Sequence, residues 1–95
     1  MSELRTALPK ITTPLPGPKA QAIIARREAA TPKAIGTAYK AVIDRGEGAM
    51  FQDVDGNIFL DWIAGVGVLN IGYSHPELIE AVKAQADKYF HSMFN

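Results

Sequence analysis

The chain has 95 residues, with ten basic and ten acidic side chains, 47% apolar residues and no cysteine. This balance is typical of one small globular domain and excludes disulfide staples and thiolate metal sites. The zero net charge argues against a nucleic-acid partner, and no apolar run approaches the roughly 20 residues of a membrane helix. We therefore expect a cytoplasmic protein without a membrane partner, and without a signal peptide because prolines interrupt its amino end.

The amino-terminal part of the chain divides into an arm and a helix. Four of the six prolines lie in residues 1–18, and each of them removes a backbone donor. We predict an extended, Pro-rich arm over 1–18. Apolar residues at helical spacing predict a helix over 19–30, with Pro18 suited to its first position and Pro32 following its end.

The central residues predict a small three-stranded antiparallel sheet. Its expected strands are 39–43, 49–54 and 58–62. The first two strands would be joined by the Gly-rich residues 46–48. The last two would be joined by the Asp-Gly-Asn turn at 55–57, which tolerates a positive φ. One face of this sheet is apolar, so another element is expected to pack on it.

The carboxyl-terminal residues predict an amphipathic helix that packs on the apolar face of the sheet. Residues 74–77 (SHPE) combine a capping box with a proline in the first turn. An apolar stripe follows at Leu78, Val82, Ala86 and Tyr89. The helix is expected to end near His91. The fold class is therefore α+β: an arm and helix, a small sheet, a Gly-rich loop and a carboxyl-terminal helix.

Residues that could carry chemistry are few. Asp53 and Asp55 superficially resemble a calcium loop, but the bidentate Glu at its twelfth position is missing, so a turn is the better interpretation. Ser74 is better used as a helix cap than as a nucleophile. The unusual segment is 63–73, which is apolar but contains three glycines. These glycines indicate either tight packing within the fold or a wall that faces a ligand.

Three groups of residues resemble the amino-terminal signature of class III pyridoxal-phosphate aminotransferases. They are 53–62 (DVDGNIFLDW), 64–72 (AGVGVLNIG) and the His75-Pro76 pair that opens the last helix. Tyr73 stands where many members of that family carry His. Residues 15–19 (LPGPK), 26–28 (RRE) and 91–95 (HSMFN) resemble the 4-aminobutyrate aminotransferase branch in particular.

The resemblance implies that the chain is a truncated amino-terminal segment, residues 19–95, of a fold type I transferase. The whole enzyme would move an amino group from 4-aminobutyrate or a related ω-amino acid to 2-oxoglutarate, and would be a homodimer. Pyridoxal phosphate would be bound by the rest of the enzyme, since the motifs for the Schiff-base lysine and the phosphate turn are not found here. The chain alone is therefore expected to be inactive, with no catalytic, cofactor-binding or metal-binding residue.

Two positions match family residues that border the substrate. Val66 corresponds to a side chain that lines the substrate pocket and influences chain-length preference, and Asn95 corresponds to a polar residue at the same pocket. The alternative to the aminotransferase hypothesis is a stand-alone α+β module that binds a partner through its Gly-rich loop. Locally consistent caps, turns and helices favour such independent folding.

Overall fold

The computed structural model describes residues 2–93, and these residues form one antiparallel sheet and four helical segments. The helices are α1 (Ser2–Thr6), α2 (Pro18–Ala30), α3 (Ala64–Gly67) and α4 (Pro76–Ala86). The strands are β1 (Ile43–Glu47), β2 (Met50–Asp53) and β3 (Ile58–Leu60), in the order β1-β2-β3. The expected α+β class with a three-stranded antiparallel sheet is confirmed.

The first strand lies later in the chain than predicted. β1 covers Ile43–Glu47, and Glu47 pairs with Met50, so the turn consists of Gly48 and Ala49 rather than 46–48. Gly48 has a φ of +59°, which allows the tight reversal. The predicted strand over 39–43 is therefore wrong: the glycines were assigned to the turn, although Gly46 lies inside the strand.

The turn between β2 and β3 forms as predicted, and it is organised by buried polar atoms. Asp53 Oδ1 accepts hydrogen bonds from the backbone N–H groups of Asp55 (3.0 Å) and Asn57 (2.8 Å). Asn57 is fully buried. Its Oδ1 accepts from the backbone N–H groups of Thr12 (2.7 Å) and Thr13 (3.1 Å), which ties the amino-terminal arm to the turn.

The arm is not extended over all of residues 1–18. It begins with α1, which contacts β1 and β2 and buries Leu4. After α1 the chain runs antiparallel to β3 at one position, where Lys10 and Ile58 exchange two backbone hydrogen bonds of 2.8 Å. The prolines therefore allow a short helix in front of them, because they interrupt only the residues that follow α1.

Helix α2 agrees with the predicted helix, and Pro18 occupies its first turn. Its amino-terminal N–H groups are satisfied from the hairpin turn. Asp55 accepts from the backbone N–H of Lys19 through Oδ1 and of Ala20 through Oδ2, each at 2.9 Å. A carboxylate in this place also complements the helix dipole.

Helix α4 begins one residue later than a Ser74 cap requires and ends earlier than predicted. Pro76 takes the first helical position, so His75 is the N-cap and no side chain caps it. Ser74 has a φ of +54° and lies outside the helix. The capping box is therefore wrong, and the helix ends at Ala86, short of the predicted His91.

The prediction that the carboxyl-terminal helix packs on the sheet is also wrong. The sheet is contacted by α1, whereas α4 contains no buried residue. The radius of gyration is 15.9 Å, compared with about 12 Å for a compact domain of this length. The accessible surface is 7540 Å², compared with about 5400 Å² for a compact monomer of this mass.

None of the helices within residues 2–93 has the length and apolar character needed to cross a bilayer.

Candidate functional site

An open apolar groove of about 430 Å³ lies over one face of the sheet. The rings of Phe51 and Phe59 stack within it, with centroids 4.9 Å apart. Leu15 from the arm and Ile43 from β1 also line the groove. Such a surface suits an aliphatic or aromatic group and provides few polar contacts.

The polar edge of the groove is a hydrogen-bonded pair, Asp61 and Tyr73. The Tyr73 hydroxyl donates to Asp61 Oδ2 at 2.6 Å. Asp61 follows β3, and its Oδ1 accepts from the backbone N–H groups of Ile63 (2.8 Å) and Ala64 (2.9 Å). One carboxylate thus joins the ring of Tyr73 to the first residues after the sheet.

The hydrogen bond between Asp61 and Tyr73 contributes to the pKa shifts of both residues. The hydrogen bond from Tyr73, followed by that from the Ala64 N–H, lowers the pKa of Asp61. Burial raises the pKa of Tyr73 to about 12, with further contributions from its hydrogen bond to Asp61 and from the Asp61 charge. At neutral pH the pair is therefore an ionised acceptor and a neutral donor, and it places a negative charge at the edge of the groove.

Tyr73 is held in place by close contacts with the β1–β2 turn. It exchanges two backbone hydrogen bonds with Gly48, of 2.8 and 3.0 Å. A Cβ on Gly46 would lie 2.5 Å from the Tyr73 ring, and a Cβ on Gly72 would lie 2.7 Å from the Gly48 carbonyl oxygen. Gly72 therefore fits the packing interpretation of the Gly-rich segment, and the ring of Tyr73 occupies the space above Gly46.

The rest of the Gly-rich segment has a different geometry. Four successive residues, Ala64 to Gly67, have φ angles of +54°, +63°, +62° and +76°. This makes α3 a left-handed turn, closed by hydrogen bonds from the N–H groups of Val68 and Leu69 to the Ala64 carbonyl. Each residue other than glycine in this conformation costs about 1–2 kcal/mol. Ala64 and Val66 are thus strained positions.

The left-handed turn displays Val66, the predicted substrate-binding residue. Val66 is 86% exposed. Gly65, its neighbour, lines the groove, whereas Val66 does not. The second predicted residue, Asn95, lies outside the described residues.

Sequence reasoning missed Asp61 and Tyr73 as members of a site. In the sequence, Tyr73 stands where many family members carry His, and Asp61 falls within the predicted strand 58–62. A local signal existed for Asp61, because an Asp just before a glycine-rich turn commonly accepts hydrogen bonds from the N–H groups two or three residues later. No local signal places Tyr73, since its partner is twelve residues away in the sequence.

The described residues do not fit a covalently bound pyridoxal phosphate. An imine-forming lysine needs a desolvated setting, and all six lysines are exposed. Lys83, for example, forms a solvent-exposed ion pair with Glu80 at 2.9 Å. Within residues 2–93, no three acidic or histidine side chains are grouped so that they could hold a metal ion.

Comparison with known proteins identifies a family. The sequence model of the family described as "Aminotransferase class-III" matches residues 32–95. An alanine/serine racemase from Pyrococcus horikoshii is 42% identical over 86 residues, which cover 90% of this chain and 18% of the racemase. A probable 4-aminobutyrate aminotransferase from Bacillus subtilis is 39% identical over 70 residues, covering 74% of this chain and 16% of that protein.

A solved structure gives the same result for the fold. The acetylornithine aminotransferase from Elizabethkingia anophelis superposes with a TM-score of 0.67 at 29% identity, over 77% of this chain and 21% of that one. The expected likeness to fold type I aminotransferases is confirmed. The chain spans about a fifth of the length of these relatives.

Proposed function

The chain belongs to the class III aminotransferase family, and from this premise we propose that it is the amino-terminal segment of a pyridoxal-phosphate-dependent aminotransferase. The enzyme would transfer an amino group from 4-aminobutyrate or a related ω-amino acid to 2-oxoglutarate. The observation that carries the proposal is the family match over residues 32–95 together with the relative described as a probable 4-aminobutyrate aminotransferase.

In this proposal residues 19–95 form a surface rather than a catalytic centre. Pyridoxal phosphate, bound by the rest of the polypeptide, would supply the electron sink for the reaction. Val66, carried by the left-handed turn, would contact the aliphatic part of the substrate, and Asn95 would border the same pocket.

The exposed apolar surface supports a chain that is covered by another protein segment. Large side chains that a finished domain would cover are open to solvent, including Trp62 at 87% and Phe90 at 90% exposure. Large exposed apolar patches mark surfaces that another protein segment covers. We propose that the remainder of a class III aminotransferase polypeptide covers this surface. We also propose that the whole protein is a homodimer and that it is cytoplasmic. Sedimentation tests the homodimer, and cell fractionation tests the cytoplasmic location.

The first test is the intact mass of the native product, captured from its source cells with an antibody against this chain. A species several times 10.3 kDa supports the proposal. A species at 10.3 kDa contradicts it and favours the partner-binding module. The purified product is then incubated with pyridoxal phosphate, 4-aminobutyrate and 2-oxoglutarate, and formation of glutamate is measured.

Racemisation is the second candidate, because the alanine/serine racemase shares 42% identity over nearly the whole chain. The two activities differ in their need for an acceptor. A racemase inverts L-alanine without any 2-oxo acid, whereas an aminotransferase turns over repeatedly only when a 2-oxo acid acceptor is present. Chiral analysis of alanine, with and without 2-oxoglutarate, separates the two candidates.

The 95-residue chain alone is expected to be inactive. Because its lysines are exposed, none has the environment that favours a stable imine. Titration of the isolated chain with pyridoxal phosphate should give no saturable, stoichiometric imine absorbance. A band that saturates at one equivalent would contradict this expectation, and replacing Lys40, which borders the groove, would identify its source.

A further inference from the structure

The left-handed turn that carries Val66 is held by groups outside the turn. We propose that Asp61 and Tyr73 form a positioning pair that sets the direction of Val66 and thereby the preference for the length of the amino substrate. This inference rests on the proposed function for its substrate, whereas the link between the pair and the turn rests on the geometry alone.

The turn needs an external support because its backbone is strained. Ala64 and Val66 adopt positive φ angles that residues with a Cβ avoid. Asp61 Oδ1 accepts from the N–H groups of Ile63 and Ala64, which are the residues where the chain enters the turn. Loss of those two hydrogen bonds would let the entry relax and would move Val66.

The orientation of Asp61 depends in turn on Tyr73. The other carboxylate oxygen, Oδ2, receives the Tyr73 hydroxyl at 2.6 Å. The ring of Tyr73 lies against Gly46 in β1, and its backbone is paired with Gly48. The phenol is therefore fixed to the sheet, and Asp61 transmits that fixed position to the turn.

The hydroxyl of Tyr73 can be separated from its ring. Tyr73→Phe keeps the contacts with Gly46 and the edge contact with Phe51, whose ring centroid is 6.4 Å away. It removes only the hydrogen bond to Asp61. A purely structural role of the ring would survive this change, whereas a positioning role of the hydroxyl would not.

The experiment compares variants of the native polypeptide that contains this chain, at whatever mass it is found. They are Tyr73→Phe, Val66→Ala, the double variant, Asp61→Ala, and Tyr89→Phe as the matched control on an exposed tyrosine. Two quantities are measured: hydrogen exchange of the amides in 63–69, and the ratio of kcat/KM for 4-aminobutyrate to that for the homologue one methylene longer.

Exchange of the Ile63 and Ala64 amides should be about tenfold faster in Tyr73→Phe, and faster still in Asp61→Ala. The kcat/KM ratio should change by about fivefold in Tyr73→Phe, mostly through KM, and in the same direction in Val66→Ala. The double variant should resemble Val66→Ala alone, because Tyr73 acts through Val66. Tyr89→Phe should match the wild type in both measurements.

The outcomes separate the inference from the proposed function. Unchanged exchange in both Tyr73→Phe and Asp61→Ala overturns the link between the pair and the turn, whatever the activity. Faster exchange with an unchanged ratio, or additive effects in the double variant, overturns the control of substrate length. A wild-type polypeptide that transfers no amino group overturns the proposed function and the length preference together, while the exchange data still decide whether the pair holds the turn.

Discussion

Residues 2–60 contain every fully buried residue in the described part of the chain, whereas residues 61–93 contain none. In the first region, polar side chains connect the arm and α2 to the hairpin turn. Within one hairpin turn, Asn57 accepts from the arm and Asp55 accepts from the start of α2, while Asp53 accepts from the Asn57 amide. The second region displays the left-handed turn and α4, with apolar side chains in solvent. The hairpin turn therefore organises the first region, whereas the second region leaves its apolar side chains uncovered.

The largest expected effect follows from removing the amide of Asn57. Asn57→Ala leaves the N–H groups of Thr12 and Thr13 without their acceptor and Asp53 Oδ2 without its 2.8 Å donor. Because the Asp53 carboxylate stays buried without this donor and the arm loses its tie to the turn, we expect a loss of about 3 kcal/mol in the free energy of unfolding. Urea unfolding of the 95-residue chain, followed by circular dichroism, measures it.

A matched control for Asn57 is available in the second region. Asn70 is exposed, so Asn70→Ala should change the unfolding free energy by less than about 0.5 kcal/mol. If the two substitutions had equal effects, the hairpin turn would not be the organising element of the first region.

The next effect is the loss of the α2 cap. Asp55→Ala removes the acceptor for the N–H groups of Lys19 and Ala20, and we expect it to cost about 1 kcal/mol. Far-ultraviolet circular dichroism should also show partial loss of helix. Asp44, an exposed acidic residue in β1, is the control, and Asp44→Ala should leave the helix content unchanged.

A substitution at Gly17 tests the same cap, because Gly17 lies against the Asp55 carboxylate. A Cβ on Gly17 would lie 2.5 Å from the Asp55 carboxyl carbon. Gly17→Ala should therefore displace the carboxylate and lower stability, although its φ of −73° suits any residue. If Gly17→Ala were neutral, the carboxylate would not need its present position for capping.

Local chemistry was sufficient to predict part of this molecule. The Asp-Gly-Asn turn and α2 are specified by residues within a few positions of each other. The start of α4 could also have been placed correctly, because Pro76 at the first helical position moves the cap to His75.

The remaining features depend on contacts that are distant in sequence. A Cβ at position 46 would collide with the ring of Tyr73, which explains a glycine inside β1, and nothing within β1 itself indicates this contact. The left-handed turn likewise depends on Asp61 and Tyr73. The family resemblance selected Val66 without predicting that the turn would present it outside the groove.

The Asp61–Tyr73 pair predicts a smaller, pH-dependent effect in the second region. The pKa of Tyr73 is raised from 10.0 to about 12, so folding favours the protonated phenol. Its contribution to stability should be complete below pH 10.0 and should disappear as the pH rises through about 12. Tyrosinate absorbance and circular dichroism, recorded against pH, should show a late transition that Tyr73→Phe lacks.

Acid should reveal the other member of the pair. The pKa of Asp61 is lowered from 3.8, so its contribution to stability is present above that pH and is lost as the pH falls through the lowered value.

If the Tyr73→Phe chain retained the late alkaline transition, the shift would belong to another tyrosine and the pair would not exist in solution.

The smallest effect is expected on α4, and it depends on context. Val82 is 58% exposed, so Val82→Ser should change the stability of the 95-residue chain by less than about 0.5 kcal/mol. In a complete aminotransferase polypeptide that covers α4, the same change should cost about 1–2 kcal/mol through lost burial. Lys83→Gln, on the solvated side of the helix, is the control and should be neutral in both settings. Equal effects of Val82→Ser in the two settings would mean that nothing covers α4, and the second region would then be a finished surface rather than one half of an interface.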